Sequence, residues 1–170
     1  MSGSIPAKHT SPAAAPIFAL LKIAAIVLLL FLMIDQLKGQ KISKADFDTV
    51  EKAVMDTVDT SVIKEADPAM IRRLYGLESK DFDRIILYYP SSNMGAEEVL
   101  LVKLHDTDQA GLVRQAVDRR LSAQKASFAG YGADQTAMLE AAQIDVEGNY
   151  ILFISSAQPD KTVAAFKKSL

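Results

Sequence analysis

Residues 16 to 34 read PIFALLKIAAIVLLLFLMI, and no acidic side chain precedes Asp35. A helix over Ile17 to Ile34 rises about 27 Å, close to the ~30 Å hydrocarbon core of a bilayer. Lys22 is the one charge in the run. It lies about 8 Å inside the first apolar residue at helical rise, near enough to a boundary for its ammonium to snorkel outward. The run has no polar face, which argues against a helix laid on a soluble core. A cleavable signal peptide is the rival, with Lys22 closing its basic region. It lacks a small-x-small cleavage site: in DQLKGQK, Gly39 could stand last, but Leu37 then occupies a position that should be small. The expectation is an uncleaved transmembrane signal-anchor helix over residues 16–38, with the lipid bilayer as its partner. A Pro/Ser/Ala-rich disordered arm over 1–15 precedes it. Lys8, Lys22 and the amino terminus balance Lys38, Lys41 and Lys44, so charge alone does not orient the helix. An N-terminal anchor with its C-terminal bulk translocated is the usual layout, which makes the cell membrane, with an extracytoplasmic domain, the expected location.

The chain has 170 residues, 49% of them hydrophobic, enough for one folded domain behind the anchor, over 42–170. Removing Lys8 and Lys22 from the 19 Lys/Arg leaves 17 basic against 21 acidic residues after Ile34. That balance argues against a nucleic-acid partner, which needs a basic face. With no cysteine, there is no disulfide, thiol nucleophile, Cys-rich zinc site or lipid-bearing cysteine.

From Ser43 the apolar period becomes helical: Phe47, Val50, Val54 and Val58 share a face. Asp67-Pro68 caps a second, short helix that Gly76 ends. DRIILYYP and EEVLLVKLH, joined by SSNMGA, read as two antiparallel strands. Asp106 and Asp108 introduce a long helix from about Gln109 to Phe128, buried along Leu112, Val113, Ala116, Val117 and Leu121. A short helical piece starts near Asp134. AAQIDVEGNYILFIS then forms a hairpin about Glu147-Gly148-Asn149, and an amphipathic helix from Asp160 ends in FKKSL, its lysines suited to the negative end of the dipole. The fold class is α+β: a four-stranded, mainly antiparallel sheet with helices mainly on one face.

Few residues could carry catalysis. His9 lies in the arm, and His105 ends a strand beside Asp106 and Asp108, where a strand end running into a helix cap explains it better than metal ligation. No serine sits in a G-x-S-x-G elbow, and FAGYGA lacks the lysine and the preceding strand of a phosphate loop. No metal, cofactor or catalytic constellation is expected.

A polar cluster is the better candidate. Arg120, Gln124 and Phe128 are spaced four apart and Tyr131 follows three later, so on a continuous helix all four fall within roughly 80°. On the strand, Leu100, Val102 and Leu104 form the apolar set that should face the helices, and Glu98 belongs to it. Glu98 can therefore meet Arg120, with Gln124 and the Tyr131 hydroxyl filling the remaining donors and acceptors. Two readings stay open: a buried ion pair fixing helix on sheet, or the rim of a cleft where Arg120 receives an anionic group and Tyr131 forms a wall. The other tyrosines, 75, 88, 89 and 150, read as core or rim aromatics.

Glu97-Glu98 opening an apolar strand, the ladder Arg120-x3-Gln124-x3-Phe128-x2-Tyr131, Gln135, Leu139 and the Gly148-Asn149-Tyr150 hairpin together resemble a bacterial domain of unknown function. That family occurs in small lipoproteins and single-span membrane proteins, mostly of Gram-positive spore-forming bacteria. The likeness covers about Phe47 to Phe166. It implies a membrane-tethered extracytoplasmic domain with no established activity and no catalytic residues to carry over. Many relatives carry a lipobox cysteine, whereas this chain must rely on its helix. Gly132-Ala133 also stand where relatives often have a proline.

The reading that follows is a non-enzymatic membrane-anchored envelope protein that binds an envelope protein or an anionic ligand. The rivals are an enzyme using Glu98, Arg120 and Tyr131 on an anionic envelope substrate, and a structural subunit of a membrane complex, which would show a sizeable apolar surface patch.

Overall fold

The computed structural model describes residues 22–23, 25–29 and 42–170. The chain divides into two units, Met1–Lys38 and Gly39–Leu170. In the first, residues 22–23 and 25–29 are helical and exposed. The expected arm over 1–15 and most of the expected anchor over 16–38 lie outside the described residues. Among the described residues no helix is long and apolar enough to cross a membrane.

The second unit is α+β. Helix α1 (Phe47–Met55) starts where the Asp46 carboxylate accepts from the Thr49 N–H, and it buries Phe47, Val50 and Val54. Strand β1 (Ile63–Glu65) leads into α2 (Pro68–Tyr75), capped by Asp67 and stopped by Gly76 at φ 71°. Strands β2 (Arg84–Pro90) and β3 (Glu98–Lys103) follow, then α3 (Ala110–Phe128) and α4 (Ala133–Glu140). Strands β4 (Gln143–Glu147) and β5 (Tyr150–Ser155) form the last hairpin before α5 (Pro159–Ser169). The order across the sheet is β1-β2-β3-β5-β4, every neighbouring pair antiparallel.

Two expectations need correction. The sheet has five strands, not four. The added strand, β1, has only three residues, Ile-Lys-Glu, too few for an alternating pattern, and it pairs with the end of β2 through Ile63↔Pro90 to Glu65↔Tyr88. Nor do the helices lie mainly on one face. Leu87, Leu100, Val102, Ile151 and Phe153 pack with Ile71 and Tyr75 of α2 and Val113, Ala116 and Val117 of α3. Ile86, Val99, Leu101, Leu152 and Ile154, on the opposite face, pack with Phe47, Val50 and Val54 of α1 and Phe166 of α5. The central strands are apolar on both alternating sets, the pattern of a sheet covered on two sides. Each such aliphatic side chain taken out of water contributes about 1.5–3 kcal/mol.

The layout separates the ends of the sheet. At one end, the Ser43 N–H donates to Asn149 Oδ1 at 2.8 Å and the Ser43 hydroxyl to the Leu170 carbonyl at 3.2 Å, so the first residues of the domain are tied to the β4–β5 turn and the last helix. The register Lys103↔Tyr150 belongs to that end, and Glu98↔Ser155 to the other. Near the Glu98 end a small satellite core of Ala96, Phe128 and Leu139 fastens the β2–β3 loop to the ends of α3 and α4.

Candidate functional site

Glu98 opens β3 on the face shared with Leu100 and Val102, and it is fully buried. Four donors converge on its carboxylate. Arg120 grips it with two bonds, Nε to Oε1 at 3.0 Å and Nη2 to Oε2 at 2.6 Å. The Tyr75 hydroxyl donates to Oε1 at 2.5 Å, and Gln124 Nε2 to Oε2 at 2.9 Å. A planar guanidinium suits such two-point recognition. Each carboxylate oxygen thereby takes two donors, which removes most of the penalty of burying it.

The neighbours respond to this charge. Burial, then the Glu98 charge and hydrogen bond, raise the Tyr75 hydroxyl well above the ordinary tyrosine range. Burial pulls the Arg120 guanidinium down, but the hydrogen bonds and charge of Glu98 outweigh it and the net shift is upward. Two buried polar atoms beside the cluster have no partner: Gln124 Oε1 and the hydroxyl of Ser155, the register partner of Glu98.

The structure thus brings together three of the four residues singled out from sequence, Glu98, Arg120 and Gln124, and leaves out the fourth. Tyr131 is 65% exposed and rests against Phe128, ring centroids 6.0 Å apart. The helical spacing does not carry to it, because α3 ends at Phe128 and Ala129 turns to ψ 122°. Tyr75 supplies the hydroxyl instead. A signal for it was present: Tyr75 shares the apolar stripe of α2 with Ile71, and a tyrosine buried on such a stripe needs a partner for its hydroxyl.

Arg120 and Gln124 also line a cavity of ≈ 410 Å³. Its other walls are Arg73 and Leu74 of α2, Lys64 and Tyr89 at the end of the β1–β2 pair, and the loop Ser91–Gly95. That loop is tightly folded: a Cβ on Gly95 would lie 2.8 Å from Pro90 Cβ. No acidic residue lines the cavity. Lys64 Nζ sits 5.0 Å from the Tyr89 ring centroid. Among the described residues neither Lys64 nor Arg73 forms a salt bridge, whereas Arg72 next door pairs with Glu78 at 3.6 Å. Glu97, the carboxylate adjacent in sequence, is turned back onto the Ala96 N–H at 3.0 Å.

His105 pairs with Asp83 at 3.0 Å, far along β3 from Glu98. Among the described residues no group of three or more His, Asp or Glu could hold a metal ion. Glu98 cannot act as a base while its oxygens are filled. The free chemistry of this region is that of cationic and hydroxyl donors around a cavity.

No curated protein and no solved structure matches the chain. A family model does match, over residues 56–156, leaving α1 and α5 outside. All four residues of the Glu98 cluster and the whole lining of the cavity fall within that stretch, so the site is a property of the matched region: the chain belongs to DUF4358, a domain of unknown function.

Proposed function

We propose that the chain is a membrane-anchored cell-envelope protein whose domain over 42–170 binds a ligand and does not catalyse a reaction. The anchor rests on the acid-free apolar run of residues 16–34 and on its match to bilayer thickness. The envelope setting, outside the cytoplasmic membrane of a Gram-positive bacterium, rests on the resemblance to small lipoproteins and single-span proteins. The observation that carries the binding reading is the division of labour at Arg120. One edge of its guanidinium fills the Glu98 carboxylate, and the residue also lines a cavity that holds two further cations and no acid.

An enzyme acting on an anionic substrate would need an available acid or base. Glu98 is closed off by Arg120, Tyr75 and Gln124, and Tyr131, the other member of that scheme, lies apart from them. Preorganisation is the more natural use of the pair, since a guanidinium locked by its own carboxylate presents its remaining N–H groups at low entropic cost.

The test is protease accessibility in intact cells. Added protease is expected to remove the domain and leave a short membrane-embedded stub. Digestion only after lysis would overturn the outward assignment, and a full-length chain in the soluble fraction without detergent would overturn the anchor.

A further inference from the structure

Resting on the binding reading above, we infer that the cavity between α2, α3 and the Ser91–Gly95 loop is a site for a phosphate monoester carried on a small hydroxylated body. Charge comes first. Glu98 and Arg120 cancel, and Lys64 and Arg73 remain, both exposed and without acidic partners among the described residues. The lining therefore carries two uncompensated positive charges, which match the dianion of a phosphate monoester and exceed what a single carboxylate requires.

Donor chemistry agrees. Ser91, Ser92 and Asn93 add neutral donors to the same cavity, and a phosphate offers three terminal acceptor oxygens to be shared among them. The body attached to the phosphate is specified by the remaining walls. Leu74, Pro90 and Phe128 supply apolar contact. Gln124 contributes an acceptor, because its amide nitrogen is committed to Glu98 and its buried Oε1 lacks a partner. A hydroxyl next to the phosphate would satisfy that oxygen, at a position where leaving it unmade is costly. A volume of ≈ 410 Å³ holds a compact ester of this kind. Such a group occurs on a free polyol phosphate and on a single-chain phosphomonoester lipid that keeps a free glycerol hydroxyl, and the chemistry shared by the two is what the cavity recognises.

The experiment is calorimetric titration of the full-length chain in non-ionic detergent. The probes are glycerol 1-phosphate, 1-hexanoyl-glycerol 3-phosphate (a single-chain lipid that keeps its free 2-hydroxyl), n-propyl phosphate and citrate. Saturable binding of either glycerophosphate supports the inference, and the tighter of the two names the source as soluble or lipid. Propyl phosphate should bind more weakly, because it has no hydroxyl for Gln124. Arg73→Gln and Lys64→Gln should each weaken binding about tenfold, the loss of one charge-assisted bond. The thermal midpoint of the unliganded variants should move by little, because both side chains are exposed, neither forms a salt bridge among the described residues, and Lys64 gives up only an exposed contact with the Tyr89 ring. Binding of citrate with no binding of the phosphates would overturn the phosphate assignment and leave the anion-binding reading standing. No binding of any probe by a folded protein, or affinity indifferent to both substitutions, would overturn the site itself.

Discussion

Truncating Arg120 to alanine isolates the energetics of the Glu98 cluster. Glu98 is fully buried and accepts four hydrogen bonds, two of them from Arg120, whose own side chain is only 18% exposed. Arg120→Ala removes the countercharge and both of those bonds, leaving a buried carboxylate held by Tyr75 and Gln124 alone. Breaking a buried pair in this way costs about 3–5 kcal/mol, several times the ~0–1 kcal/mol of an exposed pair such as Lys52–Asp56. Arg120→Lys retains the charge but not the fork, and its cost is set by about one charge-assisted bond, roughly 1.5–3 kcal/mol. The chain has no tryptophan, and its five tyrosines all lie after residue 70. Tyrosine fluorescence during urea denaturation therefore reports the domain even in the full-length chain in detergent. The expected order of stability is wild type, Arg120→Lys, Arg120→Ala. An alanine variant within about 1 kcal/mol of wild type would refute the reasoning, since the pair would then contribute no more than a surface bridge.

Alkaline pH provides a second test. The Tyr88 hydroxyl, which donates to Glu51 at 2.9 Å, is pushed up to about 12, first by burial and then by Glu51. An unfolded tyrosine titrates near ~10, so above that pH the unfolded chain holds fewer protons than the folded one. The stabilisation is complete below ~10 and is lost as pH rises toward about 12; Tyr88→Phe should flatten the decline measured by denaturation at stepped pH. Tyr131→Ala should change stability by less than about 0.5 kcal/mol, as expected for a side chain largely in water. Phe166, fully buried beneath α1 on the second face of the sheet, should cost about 3–5 kcal/mol when replaced by alanine, a loss that urea denaturation would resolve. A negligible loss there would argue against a sheet covered on both faces.

Much of the architecture was legible from local signals. Asp67-Pro68 and Gly76 bracketed a helix because an N-cap, a fixed first-turn φ and a left-handed stop are each set by one residue. The Gly148-Asn149 turn was legible for the same reason: Gly148 takes φ 60°, which few other residues adopt. The errors came from non-local information. Three residues of β1 carry no period, and what makes them a strand is the edge of β2. The expectation of helices mainly on one face overlooks that Val99 and Leu101 are as apolar as Leu100 and Val102, and they lie beneath α1 and α5.

At the site, alternation in β3 and the four-residue spacing on α3 were enough to pair Glu98 with Arg120 and Gln124. The tyrosine was misplaced because helical geometry was extended past Phe128, where the backbone leaves the helix. The cavity could not have been read from sequence. Lys64, Arg73 and Ser91–Gly95 stand on three separate elements, and only the β1–β2 pairing and the packing of α2 beside α3 bring them together.

The claim on which the rest depends is that Arg120 acts on two sides at once, holding Glu98 with one edge of its guanidinium and offering the other to a ligand. Nitrogen-15 NMR of the arginine side chains during titration with glycerol 1-phosphate observes both edges. The account predicts a slowly exchanging Arg120 Nε–H that barely moves, with Nη resonances that shift saturably together with the Gln124 amide. Saturable shifts elsewhere with Arg120 silent, or an Nε–H that exchanges as fast as an exposed arginine's, would contradict it.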